Sequence, residues 1–442
     1  MRRVATGQVG GIRGDLCMLH NKIYMVGIGG IGMSALAQYL DHTGHEVSGS
    51  DREESPVVTM LVQKGIQVVV GHEQCLIPAD TELLIYSDAV GESNVERARA
   101  KEMKIPEMSY FEALGEVTRT ARTIAVAGTH GKTTTTGMLA KILQYAEKEP
   151  TVIVGSIVRD FGSNFLPGKE DLFVIEACEY RDHILKLSPL ILVITNIELD
   201  HTDYFPDLAA LQSTFRKAAA RVPAHGIIVT NPYDPAIAAV LSDAVAPILD
   251  YTTQTVPALE QIGEFNRMNA RAAKAAARAL FPHLQESYTD RALMDFKGSW
   301  RRFEYKGETP QGAIVYDDYA HHPTAVQATI EAAREIFPEK KIVVAFHPHL
   351  YSRTRSLLQE FGRALAEADE SLIAPIYAAR ETPDPSVTNE SVAEVTRRYG
   401  GESLAFDSFD LIRDRLLAYD DRYLIITMGA GDIYKVAEQI AD

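Results

Sequence analysis

Apolar positions along this chain fall into short β-branched runs, separated by stretches whose apolar residues recur every three or four positions. Strands that feed helices in this way predict a parallel α/β sheet rather than hairpins or bundles. A first set of strands is predicted at 22–26, 46–50, 67–70 and 83–86, with helices opening near Met33 and over 93–103. A second set falls at 124–127, 151–154, 171–175 and 190–194. Between its first two members lies an amphipathic segment with Met138, Leu139, Ile142 and Leu143 on one face. An Ala-rich helix is predicted over 264–280. A third set follows at 313–316, 341–346, 371–374 and 423–427, with a helix over 325–336.

At 442 residues the chain exceeds one ordinary domain of roughly 100–200 residues. The boundaries expected are an extension at 1–20, then domains at 21–119, 120–298 and 299–442. The net charge of −16 argues against nucleic acid, which needs a basic surface. It leaves small anionic substrates open, because a pocket can be locally basic. Cys17, Cys75 and Cys178 are too few and too scattered for a disulfide framework or a zinc site, so a reducing cytoplasm is expected. No apolar run nears the roughly 20 residues of a membrane helix, and residues 1–20 lack the apolar core of a secretory signal. No membrane association is expected.

The strand at 124–127 runs into Gly128-Thr-His-Gly-Lys-Thr-Thr134 and then the amphipathic helix. Strand, glycine loop and helix form the setting in which nucleotide phosphates are cradled by backbone N–H groups. Lys132 is placed to neutralise phosphate oxygens, and the Thr133 hydroxyl to ligate Mg²⁺. Val126 stands where the general pattern has its first glycine. The plain alternative is a glycine-rich turn that happens to hold a lysine, which the flanking strand and helix disfavour.

An earlier loop, Gly27-Ile-Gly-Gly-Ile-Gly32, also joins strand to helix, and an acid, Asp51, follows about 20 residues on. Taken alone this is a dinucleotide fingerprint. A diphosphate on the helix N-terminus with a ribose hydroxyl on Asp51 describes a UDP-sugar as well as NAD. A merely tight turn is the remaining alternative. Gly71-His72 and Ser87-Asp88 lie past later strands, where open α/β sheets bind ligands. Further on, Glu176 and Asn196 end strands and His201 follows closely, so Glu176 and His201 can approach a metal held by Thr133. Asn266 and Asn269 are placed to share one ligand edge, an adenine being a sensible candidate, although Asn266 could instead cap its helix. His321, His322, His347 and His349 lack a known ligand spacing, and structural or substrate-contact roles outweigh a metal site.

GIGGIGMSALA (27–37), AGTHGKTTTT (127–136), TNIELDH (195–201), RRFE (301–304), DDYAHHPT (317–324), HPHLYSRT (347–354) and MGAGD (428–432) occur in one order. Together they resemble the Mur ligases of peptidoglycan synthesis over roughly residues 22–442. The resemblance implies a Rossmann-like UDP-substrate domain, a central P-loop ATPase with a mainly parallel sheet, and a Rossmann-like C-terminal domain that closes over the site. The loop of this family usually lacks the first glycine. The implied reaction joins L-alanine to the carboxylate of UDP-N-acetylmuramate through an acyl phosphate, using ATP and Mg²⁺. Attachment of a preformed tripeptide is the near alternative. An NAD oxidoreductase, the alternative from another class, leaves the loop at Gly128 without a role.

By position, Thr133, Glu176 and His201 resemble the family's magnesium ligands. Gly128, Thr129, Gly131, Lys132, Thr133, Thr134, Asn266, Asn269, Arg302 and Asp318 resemble its ATP contacts. Gly29, Gly30, Gly32, Asp51, His72 and Ser87 match the UDP-sugar end. Tyr319, His321, His349 and Arg353 match the region around the reacting carboxylate and amino acid, with Lys132, His321 and Arg353 implied as catalytic. A cytoplasmic monomer or weak homodimer is expected.

Overall fold

The computed structural model describes residues 21–73, 76–379 and 381–441, the side chain of Glu170 excepted. The extension at 1–20 and Cys75 lie outside them. Two compact units are present, and Thr123 ends the main part of the first, which also takes in Pro167–Phe173 and Lys186–Pro189.

The first unit holds a five-stranded sheet of β1 (Lys22–Val26), β2 (Glu46–Asp51), β3 (Gln67–Val70), β4 (Leu83–Tyr86) and β5 (Glu107–Ser109), ordered β3-β2-β1-β4-β5 and parallel throughout. Ile23 to Val26 of the central strand are all buried, as expected of a strand covered on both faces. The predicted 93–103 helix spans Val95–Met103 and is capped by Asn94, whose Oδ1 accepts from the N–H groups of Glu96 and Arg97. Helix Tyr110–Arg119 begins in a Ser109/Glu112 capping box.

Two further sheets lie mainly in the second unit. The first is built from β6 (Arg122–Ala127), β7 (Pro150–Val158), β8 (Ser163–Leu166), β9 (Lys169–Glu176), β10 (Ile191–Ile194), β11 (Ile227–Thr230) and β12 (Ile248–Asp250), ordered β12-β11-β10-β6-β9-β7-β8. β6, β10, β11 and β12 run parallel, whereas β7 and β8 form an antiparallel pair that the strand pattern did not predict. Val126 is wholly buried within β6, opposite Val193, and its carbonyl accepts from Ala177 N–H. It belongs to the strand and not to the loop, so a glycine there has no conformational task.

The other sheet comprises β13 (Glu304–Glu308), β14 (Ile314–Asp318), β15 (Lys341–Phe346), β16 (Glu370–Ile373), β17 (Ser403–Ala405) and β18 (Tyr423–Met428), ordered β13-β14-β18-β15-β16-β17. Only β13 is antiparallel to its neighbour. Along β15, Ile342, Val344 and Phe346 enter one core cluster, while Val343 and Ala345 enter the other. The period of two thus packs both faces. Among the described residues no helix is long and apolar enough to cross a membrane.

Candidate active site

Two helices open from glycine loops without a side-chain cap: Ile31–His42 behind Gly30, and Lys132–Tyr145 behind Gly131. By contrast, Ser55, Ser109 and Asp207 each cap a helix with a side-chain oxygen. An uncapped first turn leaves backbone N–H groups and the positive end of the helix dipole for an anion.

In the second loop Gly128 has φ +132° and Gly131 φ +81°. A Cβ on Gly128 would lie 2.1 Å from Thr195 Oγ1, and one on Gly131 2.1 Å from Asn269 Oδ1. Only glycine fits either place. The close approach also puts Asn269 against the loop. Thr195 Oγ1 donates to the His130 carbonyl (2.6 Å), and Asn196 Oδ1 accepts from His130 N–H (2.8 Å).

Lys132 Nζ donates to Glu179 Oε1 and Oε2 at 3.1 and 3.2 Å and to the carbonyls of Gly128 and Thr129. Thr133 Oγ1 donates to the two Glu176 oxygens at 3.1 and 3.0 Å, and Gly155 N–H fixes Glu176 Oε2 at 2.7 Å. His201 Nε2 faces Glu179 Oε1 at 3.4 Å, and its buried Nδ1 has no hydrogen-bond partner. Thr133 and Glu176 therefore meet directly, while His201 joins the group through Glu179. Burial opposes the charge on Lys132, but Glu179 outweighs it and holds the ammonium pKa above its ordinary value. For Glu179 burial opposes the charge by pushing the pKa upward, and Lys132 with His201 brings the carboxyl below its usual range. Between the two acids, Cys178 is pushed up to about 12 by burial and by Glu179, so it stays a thiol.

Asn266 and Asn269 point together: Asn269 Nδ2 donates to Asn266 Oδ1 at 3.1 Å, and Asn266 Nδ2 donates to Ile262 O at 2.8 Å. The N-cap of this helix (Glu264–Leu280) is Gly263, so the capping alternative for Asn266 is wrong; its side chain sits inside the first turn.

The third sheet delivers the remaining predicted residues. Asp318 ends β14 and accepts from Phe303 and Ala320 N–H at 2.6 and 2.7 Å. Burial raises its pKa to about 6 against the pull of Arg302. Arg302 lies over the Tyr319 ring, 4.9 Å from its centre. Its neighbour Arg301 is buried on Asp317 and the carbonyls of Gly429 and Gly431, which assigns it to the scaffold. His321 Nδ1 contacts the Tyr319 carbonyl at 2.9 Å. A carbonyl only accepts, so Nδ1 bears the proton and Nε2 carries the lone pair. Burial, then Arg353, pushes the His321 pKa well below the ordinary imidazole value. Arg353, itself buried, bonds Asp200 Oδ1 through Nε (2.8 Å) and Nη2 (2.7 Å), and His349 Nδ1 through Nη1 (3.0 Å).

In the first unit, Gly29 N–H donates to Asp51 Oδ2 at 2.8 Å, turning that carboxylate towards the glycine loop. A Cβ on Gly27 would lie 3.0 Å from Ser87 Cβ, and one on Gly32 2.7 Å from the Tyr110 ring. His72 Nδ1 meets Glu96 Oε2 at 2.6 Å, and Ser50 and Tyr24 hydroxyls donate to the same fully buried carboxylate at 2.8 Å each. Asp51 thus meets Gly29, Ser87 meets Gly27 and His72 is held by Ser50 and Glu96, all at or just past the carboxyl ends of their strands, where such sheets bind ligands. Glu179, Asp200 and Glu96 are absent from the sequence-based site. Each makes its key contacts with residues far along the chain, and only the acid-rich spelling around 176–179 hints at Glu179.

Three α/β parts, an open phosphate loop facing two carboxylates and a second glycine loop on a separate sheet define a multidomain nucleotide-using enzyme. Sequence models of the family narrow this further. Residues 22–122 match the Mur ligase family catalytic domain, 126–257 the Mur ligase middle domain and 301–431 the Mur ligase glutamate ligase domain. The chain belongs to the Mur ligase family. It is 36% identical to the UDP-N-acetylmuramate–L-alanine ligase of Caldicellulosiruptor saccharolyticus, over 96% of this chain and 98% of that one. Its structure is similar to the UDP-N-acetylmuramate–alanine ligase of Thermotoga maritima, with TM-score 0.78 and 27% identity over 95% of this chain and 98% of that one. The murein peptide ligase of Psychrobacter arcticus shares the fold, with TM-score 0.70 and 24% identity over 96% of this chain and all of that one.

Proposed function

We propose that this protein joins L-alanine to the carboxylate of UDP-N-acetylmuramate at the expense of ATP, a step of peptidoglycan precursor synthesis in the cytoplasm. The observation that carries the reading is the uncapped loop at Gly128–Thr133, with Lys132 and Thr133 set against Glu179 and Glu176. A carboxylate is a poor electrophile because its leaving group would be oxide. Transfer of the γ-phosphoryl group gives an acyl phosphate, and the amine then attacks and expels phosphate.

Lys132 and the N–H groups behind Gly131 stabilise the charge that moves with the phosphoryl group. Thr133, Glu176 and His201 are the proposed Mg²⁺ ligands, with Glu179 beside them. The oxygens of Thr133 and Glu176 suit a hard cation, His201 adds an imidazole nitrogen that such a cation takes less readily, and its orphaned Nδ1 marks a group short of a partner. When bound, Mg²⁺ supplies charge neutralisation at the phosphate oxygens. Asn266, Asn269, Arg302 and Asp318 are proposed ATP contacts. His321 Nε2 carries a lone pair on an imidazole that stays neutral at physiological pH, which leaves it open to take the proton lost by the amine. Arg353 and His349 support the amino-acid end, and Asp51, His72 and Ser87 the UDP-sugar end. The proposed domain boundaries remain near Arg119 and Gly298.

The test is phosphate release from ATP with UDP-N-acetylmuramate, offering L-alanine, glycine, L-serine or the tripeptide as acceptor. L-Alanine is expected to give the highest kcat/KM, and preference for the tripeptide would overturn the assignment. Lys132→Ala is expected to abolish turnover while binding of the UDP substrate, read by calorimetry, survives.

A further inference from the structure

One group of side chains beside the phosphate loop has no part in the reaction just described. His130 Nε2 lies 3.6 Å from Glu198 Oε2, and His322 Nδ1 lies 3.8 Å from the same oxygen. All three atoms fall within 4.8 Å of one another, the only such group of metal-ligating side chains among the described residues. A tetrahedral Zn²⁺ with ligands at about 2.0–2.1 Å sets its donor atoms about 3.3 Å apart. The two sides to Glu198, 3.6 and 3.8 Å, need a slight contraction to reach that, and the two imidazoles, within 4.8 Å of each other, must close to the same spacing.

Two features prepare these atoms to bind. His322 Nε2 contacts the Leu199 carbonyl at 3.1 Å and must donate there, which leaves the Nδ1 lone pair on the side of Glu198. A backbone carbonyl holding the far nitrogen is the usual arrangement of a metal-bound histidine. The one competing contact at Nδ1 is a long one, from Thr324 N–H at 3.4 Å. His130 Nε2 is buried, and its contact with Glu198 Oε2, at 3.6 Å, is too long to be a good hydrogen bond. A buried nitrogen left so is costly unless something else meets it. Glu198 Oε2 also accepts from the Thr324 hydroxyl, which steadies the carboxylate and still leaves it a free lone pair.

We propose that His130, Glu198 and His322 form a binding site for a transition-metal dication of the Zn²⁺ class, separate from the proposed Mg²⁺ ligands. Two imidazoles and one carboxylate favour Zn²⁺ or Co²⁺ over Mg²⁺, which takes oxygen donors in octahedral geometry. A fourth position stays open to water. Because His130 lies in the phosphate loop and His322 ahead of the helix Pro323–Ile336, an occupied site ties the two together.

The experiment uses the full tag-free chain without nucleotide. Zn²⁺ binding is read by titration calorimetry and Co²⁺ binding by its visible absorption, with melting curves to verify folding. One Zn²⁺ per chain and an intense four-coordinate Co²⁺ band are expected. His322→Asn and Glu198→Gln should each weaken Zn²⁺ roughly tenfold or more, since even outer-shell partners are worth about 10–100-fold. Glu176→Gln should leave it unchanged. The proposal is overturned if the wild type takes up no Zn²⁺, if neither His322→Asn nor Glu198→Gln weakens it, or if Glu176→Gln removes it. Should one variant fail to fold, the other decides.

Discussion

Asp200→Asn isolates a single electrostatic contact. Asp200 Oδ1 receives Arg353 Nε at 2.8 Å, Arg353 Nη2 at 2.7 Å and its neighbour His201 N–H at 2.6 Å. The amide oxygen of Asn can accept the same bonds, so charge is what the substitution removes. Asp200 and Arg353 are only 4% and 2% exposed, so little water replaces the lost partner. Unit charges about 4 Å apart in an effective dielectric near 20 attract by about 4 kcal/mol. Uncovering one member of a buried pair costs about 3–5 kcal/mol. With the hydrogen bonds kept, the lower end, about 3 kcal/mol, is expected, which in a unit of about 300 residues is a fall of roughly 5 °C in melting temperature. Scanning calorimetry of the ligand-free chain at neutral pH reads this. Adding Arg353→Met should recover more than half of the loss, because no charge is then left buried alone. Burial raises the carboxyl's pKa, but Arg353 and the nearby histidines outweigh it and hold it well below the ordinary value. Its contribution is thus fully present above the unfolded-state pKa and is lost as pH falls through the folded one. The gap between wild type and variant should close in acid. A loss below about 1 kcal/mol, the scale of an exposed pair, or simple additivity in the double variant refutes the reasoning.

Glu96→Gln should raise KM for the UDP substrate with a much smaller effect on kcat, because Glu96 acts by holding His72 and Ser50; a fall in kcat alone would contradict this. Gly131→Ala should abolish ATP binding, read by calorimetry, since its Cβ would collide with Asn269 and φ +81° strains any other residue. His322 and His347 are held down to about 4, chiefly by burial. The stability each adds is fully present above the unfolded value near 6.5 and is lost as pH falls towards 4, up to about 3 kcal/mol apiece. The melting temperature should drop across that window, and less steeply in His347→Asn.

The strands were legible because each is a short apolar run ending in polar residues, and most observed ends fall within two residues of the expected ones. Both glycine loops were legible for the same reason: spacing alone places them between strand and helix. Pairings were not. Lys132 meets Glu179, and Arg353 meets Asp200, across loops whose closure no local pattern encodes. β7 and β8 escaped notice as an antiparallel pair because 163–166 carries too few apolar residues to register as a strand. Glu96 was hidden most completely. A glutamate in a polar helix reads as solvated surface, and only the fold reveals it as a buried acceptor of three side chains.

One short segment, 195–201, ties these observations together. Thr195 and Asn196 grip the backbone of His130, and the Thr129 hydroxyl exchanges hydrogen bonds with Glu198 N–H and carbonyl at 2.9 and 3.0 Å. On its other side Glu198 receives Thr324, Leu199 receives His322 and Asp200 receives Arg353. His201 closes the circuit by facing Glu179, the partner of Lys132. A nucleotide that draws Lys132 towards its phosphates must loosen the Glu179 contact, and the disturbance then meets a segment whose Glu198, Leu199 and Asp200 are already bonded to the third sheet's loops. The TNIELDH motif therefore owes its polarity to more than a metal ligand. Thr195 and Asn196 hold the phosphate loop, while the side chains of Glu198 and Asp200 and the carbonyl of Leu199 reach the part of the chain that holds His321 and Arg353.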